Sequence, residues 1–295
     1  MEEEMFKGSF VALITPFRDG AVDEKAFQDF VAWQIKEGTN GLVPVGTTGE
    51  SPTLSHAEHK RVVELCLEVA KGKVPVIAGT GSNSTEEAID FTRHAAKAGA
   101  DAALVVTPYY NKPTQEGLYR HYKAIHDAAE LPIIIYNVPP RSIVDMTPAT
   151  MARLAKLPRV VGVKDATMDL TRPWKQRAAI GTDFCQLSGE DGTALPYLAQ
   201  GGHGCISVTA NVAPRLCAEM HKAWADREID RAMTINERLM PLNDAMFCET
   251  NPGPVKYAAS LLGLCTGETR LPICEIAAES KERVKTAMRS VGLLN

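Results

Sequence analysis

Eight short runs rich in β-branched and apolar residues, separated by stretches with helical periodicity, recur from one end of the chain to the other. They are Phe10 to Thr15, Gly41 to Val45, Val74 to Ala78, Ala102 to Thr107, Ile133 to Asn137, Val160 to Lys164, Phe184 to Ser188 and Gly204 to Ser207. Strand alternating with helix implies parallel strands, because a parallel pair cannot be closed by a tight turn and needs a crossover helix. Eight such units close a (β/α)8 barrel, and a last barrel helix that follows Asn211 and ends near Arg227 falls within about a tenth of the ~250 residues typical of that fold. A doubly wound open sheet is the runner-up.

The helix starts agree with this order. Ser55 with Glu58 and Ser84 with Glu87 have the spacing of capping boxes, and Thr147-Pro148 reads as an N-cap followed by proline at the first helical position. Residues 1–227 are therefore expected to form the catalytic barrel. Residues 228–295 lack a strand signal and carry helical spacing in Ala232 to Met246, Val255 to Leu262 and Ile276 to Val291, which predicts a C-terminal α-helical domain.

The chain has 295 residues, 45% of them hydrophobic, enough for one large core. No apolar run approaches the roughly 20 residues of a membrane span, and Met1-Glu2-Glu3-Glu4 is the opposite of a basic leader, so a cytoplasmic protein is expected. The net charge of -4 is spread along the chain and offers no footprint for nucleic acid. Seven scattered cysteines without a CxxC pair are expected to be reduced, buried and inert. His56 and His59 share a helix face, but no HExxH pattern or third ligand accompanies them, so no metal is expected and a solvent-facing or capping pair is the reading. Gly201-Gly202-His203-Gly204 precedes a strand instead of opening a helix and is no dinucleotide loop.

In a (β/α)8 barrel the chemistry sits at the C-terminal strand ends. Hydroxyls, tyrosines and one lysine converge there: Thr15, Gly46-Thr47-Thr48-Gly49-Glu50, Thr107-Pro108-Tyr109-Tyr110, Tyr136-Asn137, Lys164-Asp165 and Ser188-Gly189-Glu190. Lys164 ends the apolar run Val160-Val161-Gly162-Val163. A lysine in such a place is either half of a structural ion pair, with Asp165 or another carboxylate, or a nucleophile, since burial disfavours an ammonium ion and a neutral amine attacks ketones. Tyr136, one strand earlier, is a proton carrier or an ordinary strand-end aromatic. The Gly46 to Glu50 turn can present amides and hydroxyls to a carboxylate, or be a plain turn. Arg141 can bind a second carboxylate in bidentate fashion, or be a solvated loop residue.

Together, Gly46-Thr47-Thr48-Gly49-Glu50, Thr107-Pro108-Tyr109-Tyr110-Asn111, Tyr136-Asn137-Val138-Pro139, Gly162-Val163-Lys164-Asp165-Ala166-Thr167 and Gly201-Gly202-His203-Gly204 resemble the dihydrodipicolinate synthase family over nearly the whole chain. The resemblance implies a class I aldolase without metal or organic cofactor. Lys164 would form an imine with pyruvate, and Tyr136, Thr47 and Tyr110 would relay protons, Tyr110 reaching in from a neighbouring subunit of a homo-oligomer, expected to be a tetramer. Thr48, with Thr47, would hold the pyruvate carboxylate, Arg141 would receive that of L-aspartate 4-semialdehyde, and backbone groups of Gly189 and Ile206 would line the pocket. L-Lysine would inhibit at a second site made of Ser51, His56, His59, Asn83, Glu87 and Tyr109.

Three positions depart from the family's habit: Asp165 where Glu is common, Pro140 where Ser or Gly is common, and Pro52 where Ala is frequent. Sister aldolases such as N-acetylneuraminate lyase often carry the Asp. They usually have Ser-Thr in the turn and lack the arginine, whereas this chain has Thr47-Thr48 and Arg141. A lyase of N-acetylneuraminate or a 2-keto-3-deoxy sugar acid, and a catalytically idle amino-acid-binding barrel, are the alternatives.

Overall fold

The computed structural model describes residues 6–295; the acidic start lies outside the described residues. Eight strands make the main sheet: β1 (Gly8–Ala12), β2 (Gly41–Val43), β3 (Ile77–Gly79), β4 (Ala102–Val106), β5 (Ile133–Asn137), β6 (Val160–Asp165), β7 (Cys185–Ser188) and β8 (Gly204–Ser207). Their order is β2-β1-β8-β7-β6-β5-β4-β3, all parallel, and with helices following the strands this is the (β/α)8 barrel expected from the alternation. β1 starts earlier and ends earlier than expected, and the two-residue strands Phe17–Arg18 and Ala21–Val22 form an antiparallel hairpin that the hydrophobic pattern does not reveal. Strands of two residues are too short to show a period.

Among the described residues, contacts cluster into two compact units, one of Phe6 and Lys7 with Pro75–Ile206, the other of Gly8–Val74 with Ser207–Asn295. The first is organised by β3 to β7. Here Gly162 lets β6 and β7 close up, since a Cβ at that position would lie 2.6 Å from the Cys185 carbonyl oxygen. The second holds β1, β2 and the chain's last helices, Ile229–Met246, Gly253–Leu261 and Ala278–Ser290. Gly41 passes under the ring of Phe10, with 2.0 Å available to a Cβ. Phe10, Phe17, Phe27 and Phe30 are fully buried in this unit, each worth about 1.5–3 kcal/mol in apolar burial.

The caps are those expected, with one exception. Ser55 and Glu58 form a reciprocal capping box on helix His56–Ala70, and Thr147 caps Pro148–Leu154. Ser84 accepts from the Glu87 amide, but the Glu87 carboxylate bonds Ser82 Oγ at 2.7 Å, so that box is half formed. None of the cysteines is in a disulfide, yet only Cys66, Cys205 and Cys217 are buried, and Cys274 is exposed. Burial pushes the Cys66 thiol up. No helix among the described residues is long and apolar enough to cross a membrane.

Candidate active site

The first unit contains the lysine. Lys164 and Tyr136 are register partners on β6 and β5, and Lys164 Nζ stands 4.3 Å from the centroid of the Tyr136 ring. Both are buried, Lys164 with 6% of its surface exposed. Asp165 is not the ion-pair partner of Lys164, because its carboxylate is engaged elsewhere. That carboxylate accepts from Thr167 Oγ1 at 2.6 Å, the Thr167 amide at 3.0 Å and Gln176 Nε2 at 3.0 Å, and it pairs with Arg172 at 3.3 Å. Neighbouring strand residues point to opposite faces, so Asp165 is engaged behind the strand while the lysine faces the ring of its neighbour. The departure from Glu at this position therefore falls in the barrel wall.

Glu190, two residues beyond β7, is the carboxylate that does interact with Lys164. Its carboxyl is pushed up to about 7 by burial and by Asp191, against the opposing pull of Lys164 and Arg141. The strand end is fastened where Ser188 Oγ donates to the Glu190 carbonyl at 3.0 Å and accepts from its amide at 3.1 Å. Arg141 lies exposed on the short helix Pro139–Ser142, not in a loop, because two prolines at the first helical positions preset the turn. Ser142 pins that helix by bonding Thr107 at 3.1 Å and the Val138 and Val144 carbonyls.

Gly189 donates its N–H to the Asp165 carbonyl at 2.7 Å, which leaves its carbonyl as the group it can present, and Ile206 is fully buried on β8. Tyr109 is half-buried, and its carbonyl accepts from Asn83 Nδ2 at 3.2 Å; Asn111 bonds the Asn83 carbonyl in turn. Glu87 belongs to the same unit through Ser82. Tyr110 is 94% exposed and has φ 68°, a left-handed conformation costly for a residue with a Cβ. Gly201-Gly202-His203 is structural, since His203 exchanges hydrogen bonds with Gln186 through its amide and Nδ1.

The second unit contains the threonine turn. Thr47 is half-buried and Thr48 buried. The amides of Gly49, Glu50 and Ser51 are taken by the carbonyls of Gly46, Thr47 and Gly46, so they are not donors for an anion as the sequence suggested. What the turn offers is the hydroxyls and amides of the two threonines. Thr15 Oγ1 holds the Gly49 carbonyl at 2.7 Å, and Glu50 sits at φ 56°. Ser51 follows in a single turn, His56 is exposed at the helix start, and His59 is buried, against the expectation of a solvent-facing pair.

Three residues that sequence reasoning passed over grip this turn. Asn251 Nδ2 donates to Thr48 Oγ1 at 3.0 Å, Lys256 Nζ pairs with Glu50 Oε1 at 2.7 Å, and the Arg270 amide donates to Glu50 Oε2 at 2.9 Å. Burial lowers the Lys256 pKa, while Glu50 opposes that shift. Lys256 and Arg270 also stack on the Phe17 ring, 4.1 and 4.3 Å from its centroid. A signal existed for Lys256, a lone lysine in the apolar stretch Val255 to Leu262. Among the described residues no group of three or more His, Cys, Asp or Glu side chains is placed to hold a metal ion.

A 4-hydroxy-tetrahydrodipicolinate synthase of Rhodospirillum centenum is 68% identical over 290 residues, 98% of this chain and 100% of the relative. The dihydrodipicolinate synthase of Acinetobacter baumannii, solved in complex with pyruvate, is 47% identical with a TM-score of 0.95, covering 98% of this chain and 99% of that one. The enzyme of Cyanidioschyzon merolae, solved with lysine bound, is 38% identical with a TM-score of 0.96, covering 99% and 100%. The model of the dihydrodipicolinate synthetase family matches residues 5–291, and the chain belongs to that family.

Proposed function

We propose that the chain is a 4-hydroxy-tetrahydrodipicolinate synthase, a class I aldolase that condenses pyruvate with L-aspartate 4-semialdehyde. The observation that carries this reading is the buried Lys164, free of an ion pair with Asp165 and set against the Tyr136 ring. The neutral amine of Lys164 attacks the ketone carbon of pyruvate, water leaves, and an imine forms. Loss of a methyl proton gives the enamine, whose terminal carbon bonds to the aldehyde carbon of the semialdehyde while the aldehyde oxygen takes up a proton. The α-amine of the adduct then attacks the imine carbon, closes a six-membered ring and releases Lys164.

Tyr136, Thr47 and Tyr110 pass the protons of these steps. Thr48 with Thr47 binds the pyruvate carboxylate, Arg141 the carboxylate of the semialdehyde, and backbone groups of Gly189 and Ile206 line the pocket. The reaction needs no metal or organic cofactor from the protein. Tyr110 acts in a neighbouring subunit of a homotetramer in the cytoplasm; its exposure and left-handed backbone support a side chain held out for a partner. Residues 1–227 act as the catalytic barrel and residues 228–295 as the helical domain.

L-Lysine binds at a second site of Ser51, His56, His59, Asn83, Glu87 and Tyr109. The link between Asn83 and the Tyr109 carbonyl, one residue from Tyr110, supports coupling to the relay. Initial rates in rising L-lysine test this site, and indifference to millimolar concentrations removes it. The activity itself is tested with purified protein given pyruvate and L-aspartate 4-semialdehyde, or instead N-acetylneuraminate or a 2-keto-3-deoxy sugar acid. Turnover of the first pair is expected; preferential cleavage of a sugar acid, or no turnover at all, contradicts it.

A further inference from the structure

The Thr48 hydroxyl has one proton and two lone pairs to place. Asn251 Nδ2 donates to its oxygen at 3.0 Å from a position 203 residues later in the chain, and both side chains are buried, at 3% and 5% exposure. A hydroxyl that accepts from an amide N–H cannot also turn its proton toward that N–H. The proton must be given elsewhere, and no acceptor for it occurs among the described residues. An acceptor-only group such as a carboxylate completes the hydroxyl's bonding.

The same turn is fixed by two further contacts. Lys256 reaches Glu50 at 2.7 Å and the Arg270 amide reaches the other oxygen of Glu50 at 2.9 Å. Glu50 is two residues from Thr48, so the backbone carrying the hydroxyl is clamped while Asn251 sets its rotation. Asn251 itself is carried between helices Ile229–Met246 and Gly253–Leu261, in a tight segment closed by the Gly253 amide on the Thr250 carbonyl.

We infer that Asn251 is a positioning residue for substrate recognition: it forces Thr48 to act as a hydrogen-bond donor and so fits the turn to an acceptor such as the carboxylate of a 2-oxo acid. This rests on the reading that Thr48 binds the pyruvate carboxylate. Asn251→Asp is nearly isosteric but puts an acceptor where the amide donor stood, so the Thr48 proton is drawn back toward residue 251. The effect is confined to binding of the carboxylate, which persists from the first complex to the transition state, and appears in KM more than in kcat.

The test measures kcat and pyruvate KM for the full-length enzyme and for Thr48→Val, Asn251→Asp, Asn251→Ala and the double variant Thr48→Val with Asn251→Ala. Thr48→Val and Asn251→Asp are each expected to raise pyruvate KM about tenfold, the effect of one lost hydrogen bond, with kcat at saturating pyruvate within about threefold. The double variant is expected to match Thr48→Val alone, because Asn251 acts only through that hydroxyl. Wild-type KM in Asn251→Asp, or effects that multiply in the double variant, overturn the inference while leaving Thr48 in its role. Wild-type KM in Thr48→Val overturns the carboxylate role of Thr48, and this inference falls with it.

Discussion

Lys164 and Tyr136 are paired in register on adjacent parallel strands, with the lysine Nζ 4.3 Å from the tyrosine ring centroid. Parallel pairing puts the two side chains on the same face of the sheet, so strand register rather than loop conformation sets their separation. The carboxylate next in sequence, Asp165, is bound on the opposite face by Arg172, Gln176 and Thr167. The lysine is thereby kept out of an ion pair with Asp165.

Arg141 is exposed on a short helix pinned through Ser142 and Thr107. If it is the bidentate partner for the carboxylate of the semialdehyde, it should be dispensable for imine formation. Arg141→Ala is expected to lower kcat/KM for L-aspartate 4-semialdehyde by about 2–4 kcal/mol while pyruvate trapping stays near wild type. Equal losses in both assays would show that the arginine serves the fold.

The Glu190 carboxyl is pushed up to about 7 from its ordinary 4.5, first by burial and then by Asp191. Between those values the folded protein holds more of this proton than the unfolded chain, so the Glu190 contribution to stability declines as pH rises through the window. Glu190→Gln cannot titrate. Relative to wild type it is expected to gain stability between about pH 5 and about pH 8 in urea unfolding. A constant difference across that range would contradict the raised pKa.

Lys256 is fully buried on Glu50, which is itself 3% exposed. Removing the lysine strands a carboxylate in the interior, so Lys256→Met is expected to cost about 3–5 kcal/mol in unfolding free energy. Lys256→Met combined with Glu50→Gln should recover part of that loss. A double variant less stable than Lys256→Met would mean that Glu50 is held by its other partners.

Much of the fold was legible because a parallel barrel repeats its signal. All eight strands overlap the β-branched runs, and the capping box at Ser55 appears where the spacing placed it. Lys164 stood out for a similar reason, a charge terminating an apolar strand. The hairpin at Phe17–Val22 is too short for periodicity, and the helical setting of Arg141 depends on how two prolines begin a turn. Asn251 carries no local signal, since its relation to Thr48 spans 203 residues. Glu190 was legible only as a polar residue at a strand end, since its raised pKa comes from burial and from the charges gathered around it in space.

Tyr110 projects outward with 94% of its surface exposed. If it completes a neighbour's site, Tyr110→Phe and Lys164→Ala, each inactive alone, should regain part of the activity when mixed under conditions of subunit exchange. Verified exchange without recovery would assign the tyrosine to its own chain or to no catalytic role.

Reduction of the intermediate reads out which lysine carries the imine. Borohydride added with pyruvate should convert the imine to a stable secondary amine, and peptide mapping should find the pyruvate-derived mass on Lys164 and none in Lys164→Ala. A label on another lysine, or undiminished labelling of Lys164→Ala, would contradict the assignment of Lys164 as the nucleophile.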